Sequence, residues 1–181
     1  CPFPADRGVA AFDASASRFA HADQDRSLVI RSLPQGRVLQ RLEGKATPYW
    51  MGFDRGGRRF AAAGCGKNSN TAIIYDLDSG RILSRLFHPY HTFAAAWDPG
   101  GRRLAVGCSD YRVYVWDAES AQCLQRLDGH SGDVVRLAFD RSGVLLASTG
   151  WDNRTLLWHA DTGELLTETS GNLVAFAPDG K

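Results

Sequence analysis

In this chain of 181 residues, three short runs carry residue types whose spacing could do chemistry. His88-Pro-Tyr-His91 sets two imidazoles three positions apart, a spacing that can grip a divalent metal when a helix turns both rings to one side. Pro89 denies them that helix and no cysteine or carboxylate cluster follows, so no metal is expected. Gly64-Cys-Gly-Lys67 looks like the end of a phosphate-cradling loop, yet Ala61 stands where the first glycine belongs and Asn68 where the hydroxyl belongs. A turn insertion is expected there. Asn153-Arg-Thr155 has the form of a glycosylation acceptor, but it falls in a tight hairpin and is read as chance. Arg58-Arg59 and Arg102-Arg103 open strands, where alternation exposes one guanidinium and lays the stem of the other along a neighbour.

The elements that must position these groups repeat. Tyr75-Asp76, Trp116-Asp117 and Trp158-His159 recur at intervals of 41 and 42, and an aromatic ahead of a turn recurs at Phe12, Phe53, Trp97, Phe139 and Phe176, with intervals of 41, 44, 42 and 37. Such a period marks a β-propeller. The expected fold is all-β: a β-propeller of four-stranded antiparallel blades, about four of them. The ends are expected to be truncated and further blades to lie outside, since propellers close with about 4 to 8 blades. The repeat units are 1–32, 33–76, 77–117 and 118–159, with a partial unit at 160–181. In the clearest unit the strands are 122–127, 133–139, 144–148 and 154–158. One set of turns, Asp54-Arg-Gly-Gly57, Asp98-Pro-Gly-Gly101, Asp140-Arg-Ser-Gly143 and Ala177-Pro-Asp-Gly180, places glycine where a tight reversal needs positive φ. A second set carries Asp25, Asp110 and Asp152, whose short carboxylates can accept backbone N–H groups and pin a hairpin.

Composition narrows the class. At 44% hydrophobic and 23% charged the chain has material for a packed core, and a net charge of +1 gives no electrostatic reason to expect nucleic acid or an anionic membrane. Only Lys45, Lys67 and Lys181 of the 21 basic residues are lysines, a skew read as genomic GC bias. No apolar run approaches the ~20 residues of a membrane helix, and the expectation is a soluble, cytoplasmic protein. Cys1, Cys65, Cys108 and Cys123 show neither CxxC pairing nor the dense spacing of secreted scaffolds, so reduced thiols are expected.

The unit that runs Leu127-Asp-Gly-His130, then Val134 to Phe139, then Ala147-Ser-Thr-Gly-Trp-Asp152, then Leu156-Leu-Trp158 resembles the WD40 repeat along its whole length. The resemblance implies that His130, Ser148 or Thr149, Asp152 and Trp158 form a buried hydrogen-bond network, with His88, Asp110 and Trp116 its counterparts one unit earlier. There Val106 stands in the hydroxyl place; the unit ending at Tyr75 has Lys45 for the histidine, and the first unit ends Ile30-Arg31-Ser32 without an aromatic.

The resemblance also implies a non-catalytic scaffold for protein or peptide partners, with no cofactor. His130 and Asp152 are absorbed by the network, and no nucleophile elbow or carboxylate pair remains for catalysis. The alternative is the propeller part of a larger enzyme or signalling protein, such as a fused kinase or a quinoprotein-type dehydrogenase. The Trp-terminated docking motif of the latter is missing from 83–87 and 165–169. In a propeller the loops from each outer strand to the next inner strand and those from the third to the fourth strand of a unit converge on one face. That face places Trp151, Tyr90, His91, Lys45, Thr47, Ser131, Asp133, Ser109 and Gln24 as candidate partner-binding residues. Trp151 is expected either to stand in solvent as an anchor or to fold over its own blade. Tyr49 and Trp50 are expected in the core.

Overall fold

A computed structural model describes residues 9–44, 46–65, 69–171 and 176, and every regular element among them is a β-strand. Sixteen strands form four antiparallel meanders. The first sheet holds β1 (Ala10–Phe12), β2 (Arg18–Ala22), β3 (Leu28–Ser32) and β4 (Val38–Arg41). The second holds β5 (Trp50–Phe53), β6 (Arg59–Cys65), β7 (Thr71–Asp76) and β8 (Ile82–Phe87). The third holds β9 (Thr92–Trp97), β10 (Arg103–Cys108), β11 (Arg112–Asp117) and β12 (Cys123–Asp128). The fourth holds β13 (Val134–Phe139), β14 (Leu145–Gly150), β15 (Arg154–His159) and β16 (Leu165–Ser170). Each sheet therefore takes its outer strand from the opening of the next sequence unit, and the second, third and fourth sheets begin one strand later than their units. No helix among the described residues is long and apolar enough to cross a membrane.

Turn chemistry sets this regularity. In the first hairpin of each sheet an aspartate accepts the N–H of the residue that opens the second strand: Arg18 N–H to Asp13 at 2.8 Å, Arg59 to Asp54 at 2.9 Å, Arg103 to Asp98 at 2.9 Å and Leu145 to Asp140 at 2.8 Å. The reversal needs positive φ, supplied by Gly57, Gly101 and Gly143, and by Ala16 at φ 52° in the first sheet, where a Cβ is carried at some strain. The turn at 177–180 lies outside the described residues.

Sheets stack face to face through three apolar seams. Ala20, Leu28, Ile30, Phe60 and Tyr75 fill the first, Ala63, Ile74, Leu86, Leu104 and Val106 the second, and Val113, Val115, Leu146, Leu156 and Trp158 the third. Close approach of neighbouring sheets is met by Ala94, Ala95 and Ala96 of β9 and by Gly107 of β10. A Cβ on Gly107 would stand 2.7 Å from the Val134 carbonyl oxygen.

Arginines sew the seams. The guanidinium of Arg18 donates to the Gly57 carbonyl at 3.0 Å, that of Arg59 to Gly101 at 3.3 Å and that of Arg103 to Gly143 at 2.7 Å, each reaching the turn of the next sheet. Arg18 also lies over Phe53 and Arg103 over Phe139, at 5.3 and 5.4 Å from the ring centres. Their neighbours Arg58 and Arg102 are exposed, as strand alternation requires.

Candidate functional site

The fourth sheet holds a relay of four polar side chains in an apolar seam. Trp158 Nε1–H donates to Ser148 Oγ at 2.8 Å, Ser148 Oγ meets His130 Nε2 at 2.8 Å, and His130 Nδ1 meets Asp152 Oδ2 at 2.9 Å. The carboxylate also accepts the backbone N–H groups of Ser131 and Arg154, at 2.9 and 3.1 Å. Burial alone would raise the Asp152 pKa, but the Ser131 N–H and the His130 ring outweigh it and hold the carboxyl below its usual range. Every buried polar atom in this chain of contacts has a partner, so the network ties β14, β15 and the β12–β13 connection in one register. Of the two hydroxyls open on sequence, Ser148 is the member. Thr149, on the opposite face by strand alternation, bonds Thr155 at 3.0 Å instead.

The third sheet corrects the expectation for its own set. Trp116 Nε1–H donates directly to His88 Nε2 at 3.1 Å, since Val106 offers no oxygen between them. Asp110 does not reach His88; it accepts the Tyr114 hydroxyl at 2.5 Å. His88 Nδ1 is left buried without a hydrogen-bond partner. Burial pushes the His88 pKa down to about 4, so the ring is neutral at pH 7. In the first sheet the corresponding places hold His21 and Arg31, joined by Arg31 Nε–H to His21 Nε2 at 2.9 Å. In the second, Phe53, Phe60 and Tyr75 replace polar contacts with a ring cluster.

The connecting segments gather on one face. Trp151 N–H bonds the Asp133 carbonyl at 2.9 Å, Ser109 N–H that of His91 at 2.8 Å, and Tyr49 N–H that of Ala63 at 2.9 Å, which binds each entering loop to its neighbouring hairpin. Trp151 is 53% exposed and leans on Phe93 of the third sheet at 5.6 Å, neither free in solvent nor folded over its own sheet. Phe93 also meets Tyr49 at 5.5 Å and His91 at 6.3 Å. Tyr49, expected in the core, is 45% exposed, because it precedes β5 and turns onto the loop face; Trp50 does pack against the second seam. Tyr90, His91, Thr47, Ser131 and Gln24 are exposed, whereas Ser109 and Asp133 are half-buried. Burial raises the Asp133 pKa while the His91 ring lowers it. Lys45 lies outside the described residues.

Residues 121–159 match the family model of the WD domain, G-beta repeat, and residues 90–139 match that of the anaphase-promoting complex subunit 4 WD40 domain. The chain is similar to WD40 repeats over residues 90–159. It is 38% identical over 76 residues to Periodic tryptophan protein 2 homolog of Schizosaccharomyces pombe, which covers 39% of this chain and 9% of that protein. It is 39% identical over 59 residues to Ribosome assembly protein 4 of Chaetomium thermophilum (32% and 11%), and 36% identical over 61 residues to Retinoblastoma-binding protein 5 homolog of Drosophila melanogaster (34% and 12%). The matched stretches span about a tenth of these relatives' own length.

In this WD40-like stretch the Ser148–His130–Asp152 contacts have the hydrogen-bond order of a hydrolytic triad, and their setting makes them structural. Ser148 has no exposed surface and its oxygen is occupied by the Trp158 indole, so no acyl group can reach it. Among the described residues no group of three or more His, Cys, Asp or Glu could hold a metal ion. The described cysteines are free thiols, with burial pushing Cys65 up to about 12 and Cys108 up to about 11. Sequence reasoning missed Phe93 and Tyr114. Phe93 follows the loop-tip His91 by two positions and shares its side of the strand, which is the signal that could have found it.

Proposed function

We propose that the chain is a non-catalytic interaction scaffold whose loop face binds protein or peptide partners through Tyr49, Phe93 and Trp151, with Tyr90 and His91 at the edge. The observation that carries this reading is the aromatic row itself. Three neighbouring sheets each contribute a ring, the rings touch in sequence, and two of them are about half exposed. Clustered Trp and Tyr side chains at a surface supply large apolar area at low entropic cost, the composition typical of binding hot spots. Relatives named for ribosome assembly and for retinoblastoma-protein binding support a role in assembly. The balanced charge of +1 supports protein as the ligand over nucleic acid or membrane, and a cytoplasmic site of action belongs to the same proposal.

The test selects binding peptides from a random phage library against the chain. Trp151→Ala is expected to weaken their binding by about thirtyfold, the size of a hot-spot truncation, while Val144→Ser, also exposed but on the opposite hairpin turn, leaves it unchanged. In parallel, acrylamide quenching should show a smaller accessible fraction in Trp151→Phe than in wild type. Peptides that bind Trp151→Ala as well as wild type would overturn the assignment.

A further inference from the structure

Between the outer parts of the second and third sheets lies a cleft of about 480 Å³, lined by Phe87, His88, Tyr114, Trp116, Cys123 and Arg126 among others. It has a cause in the sequence. Asp128 and Gly129 separate the buried Leu127 from His130, whereas Phe87 alone separates the buried Leu86 from His88. In the longer connection Gly129 lies so close over the Trp158 ring that a Cβ there would stand 2.9 Å from it. The connection ahead of the third sheet is one residue shorter and has no residue in the place of Gly129. Trp116 is accordingly half-buried where Trp158 is buried.

The groups around the cleft divide into engaged and unengaged. Asp128 holds Arg112 at 2.5 Å and Asp110 holds the Tyr114 hydroxyl at 2.5 Å, so the carboxylates are occupied. Arg126 makes no hydrogen bond or ion pair among the described residues, and the His88 ring, neutral with Nε2 accepting from Trp116, has an unused N–H at Nδ1. What remains on offer is the positive charge of Arg126 above a flat aromatic floor, His88 Nδ1 being buried away from the cleft. In addition, β12 is the outermost strand of its sheet, with one edge of its main chain open to a further strand.

We propose that this cleft binds an extended peptide segment of a protein partner, with an apolar side chain laid on Trp116 and Tyr114 and an adjacent carboxylate held by Arg126. The site is separate from the loop face: its floor belongs to β11 and its wall to the outer strands, and none of the row Tyr49, Phe93, Trp151 lines it. Its binding does not depend on what the loop face holds.

Cys123 reports occupancy. In the full chain carrying Cys1→Ser, the other two cysteines are buried and Cys123 alone is partly exposed within the cleft. The probes are N-acetyl-Leu-Glu-amide and N-acetyl-Leu-Lys-amide at millimolar concentration. The readouts are the rate of Cys123 alkylation by iodoacetamide and the indole N–H resonance of Trp116, assigned by Trp116→Phe. The glutamyl probe is expected to slow alkylation and shift the indole saturably. Arg126→Glu should weaken this by about tenfold, and Arg126→Gln by less. Arg85→Glu, at the same register of β8, and Trp151→Ala should leave it unchanged. Equal protection by the lysyl probe, unaltered binding in Arg126→Glu, or no protection by either probe would overturn the proposal.

Discussion

The third and fourth sheets have the same strand order and matching hairpins, yet their polar interiors differ in kind. In the fourth, four side chains form one continuous relay with no donor or acceptor left over. In the third, the corresponding atoms split into two pairs, Trp116 with His88 and Tyr114 with Asp110, and one imidazole nitrogen is stranded. Three sequence differences account for this: Val106 for Ser148, Tyr114 for Leu156, and a connection shorter by one residue ahead of the histidine. The hydrophobic frame tolerates the loss because Leu104, Val106 and Val115 are fully buried whatever the network does. Apolar packing makes the blade, and the polar relay decides how tightly its connections are held.

The sharpest way to break this comparison is to remove each histidine. His130→Ala strips partners from Ser148 and Asp152 in a closed seam and should cost about 3 kcal/mol in denaturant melts. His88→Ala orphans only the Trp116 N–H, on a half-buried ring, and should cost about 1 kcal/mol. Equal losses would show that the relay has no special standing. Acid separates the two sheets in a second way. His88 is held neutral by burial, with a pKa near 4, against the opposing pull of the Asn70 and Leu86 carbonyls and of Asp110. The unfolded chain therefore takes the proton more readily, and the contribution of His88 is fully present above pH ~6.5 and is lost as pH falls toward 4. The loss reaches about 3 kcal/mol at the lower end. A His88→Gln variant should lose that part of the stability-against-pH slope, and an unchanged slope would place the acid sensitivity elsewhere.

The array was legible because its signals are periodic: the aromatic–turn intervals recur along the chain, Asp–Gly reversals mark the first hairpin of the second, third and fourth sheets, and the structure has four four-stranded sheets. The relay was legible in the fourth sheet because all its members are present. Alternation could have chosen Ser148 over Thr149, since Ala147, Thr149 and Leu157 share the other face. The third sheet was not legible. A tyrosine two positions before Trp116 reads as strand filler until its hydroxyl is found on Asp110, a contact that depends on which carboxylate rotamer wins. Tyr49 was misread for a related reason: the residue before a short first strand has no alternation partner to assign its side.

The seams extend the comparison. Arg103, which joins the third sheet to the fourth, pairs with Asp98 and Asp161, donates to the Gly143 carbonyl and lies over Phe139, with its side chain only 13% exposed. Arg59, between the second and third sheets, makes one longer bond to Gly101. Arg103→Ala should cost about 2 kcal/mol and Arg59→Ala about 1, measured in the same melts. The reverse order would mean that stem packing, common to both, outweighs the charged contacts.

The smallest expected effect asks which of the three differences parted Asp110 from His88. Tyr114→Phe deletes one hydroxyl at the floor of a cleft and removes the shorter of the side-chain contacts that hold Asp110, leaving Arg112 at 3.6 Å. If the phenol is what keeps the carboxylate turned away, the freed Asp110 can rotate toward His88 Nδ1, restoring half of the relay seen in the fourth sheet. The net loss should then stay below about 1 kcal/mol, because a new charge-assisted bond offsets the lost one. The His88 pKa should rise above 4, since a carboxylate hydrogen-bonded to the ring favours its protonated form. Titration of the His88 ring Cε1–H by NMR, in wild type and Tyr114→Phe, reads this directly. A pKa that stays put, with the full cost of a buried hydrogen bond lost, would assign the separation to the shorter connection, which sets the ring too far from the carboxylate for any rotamer to bridge.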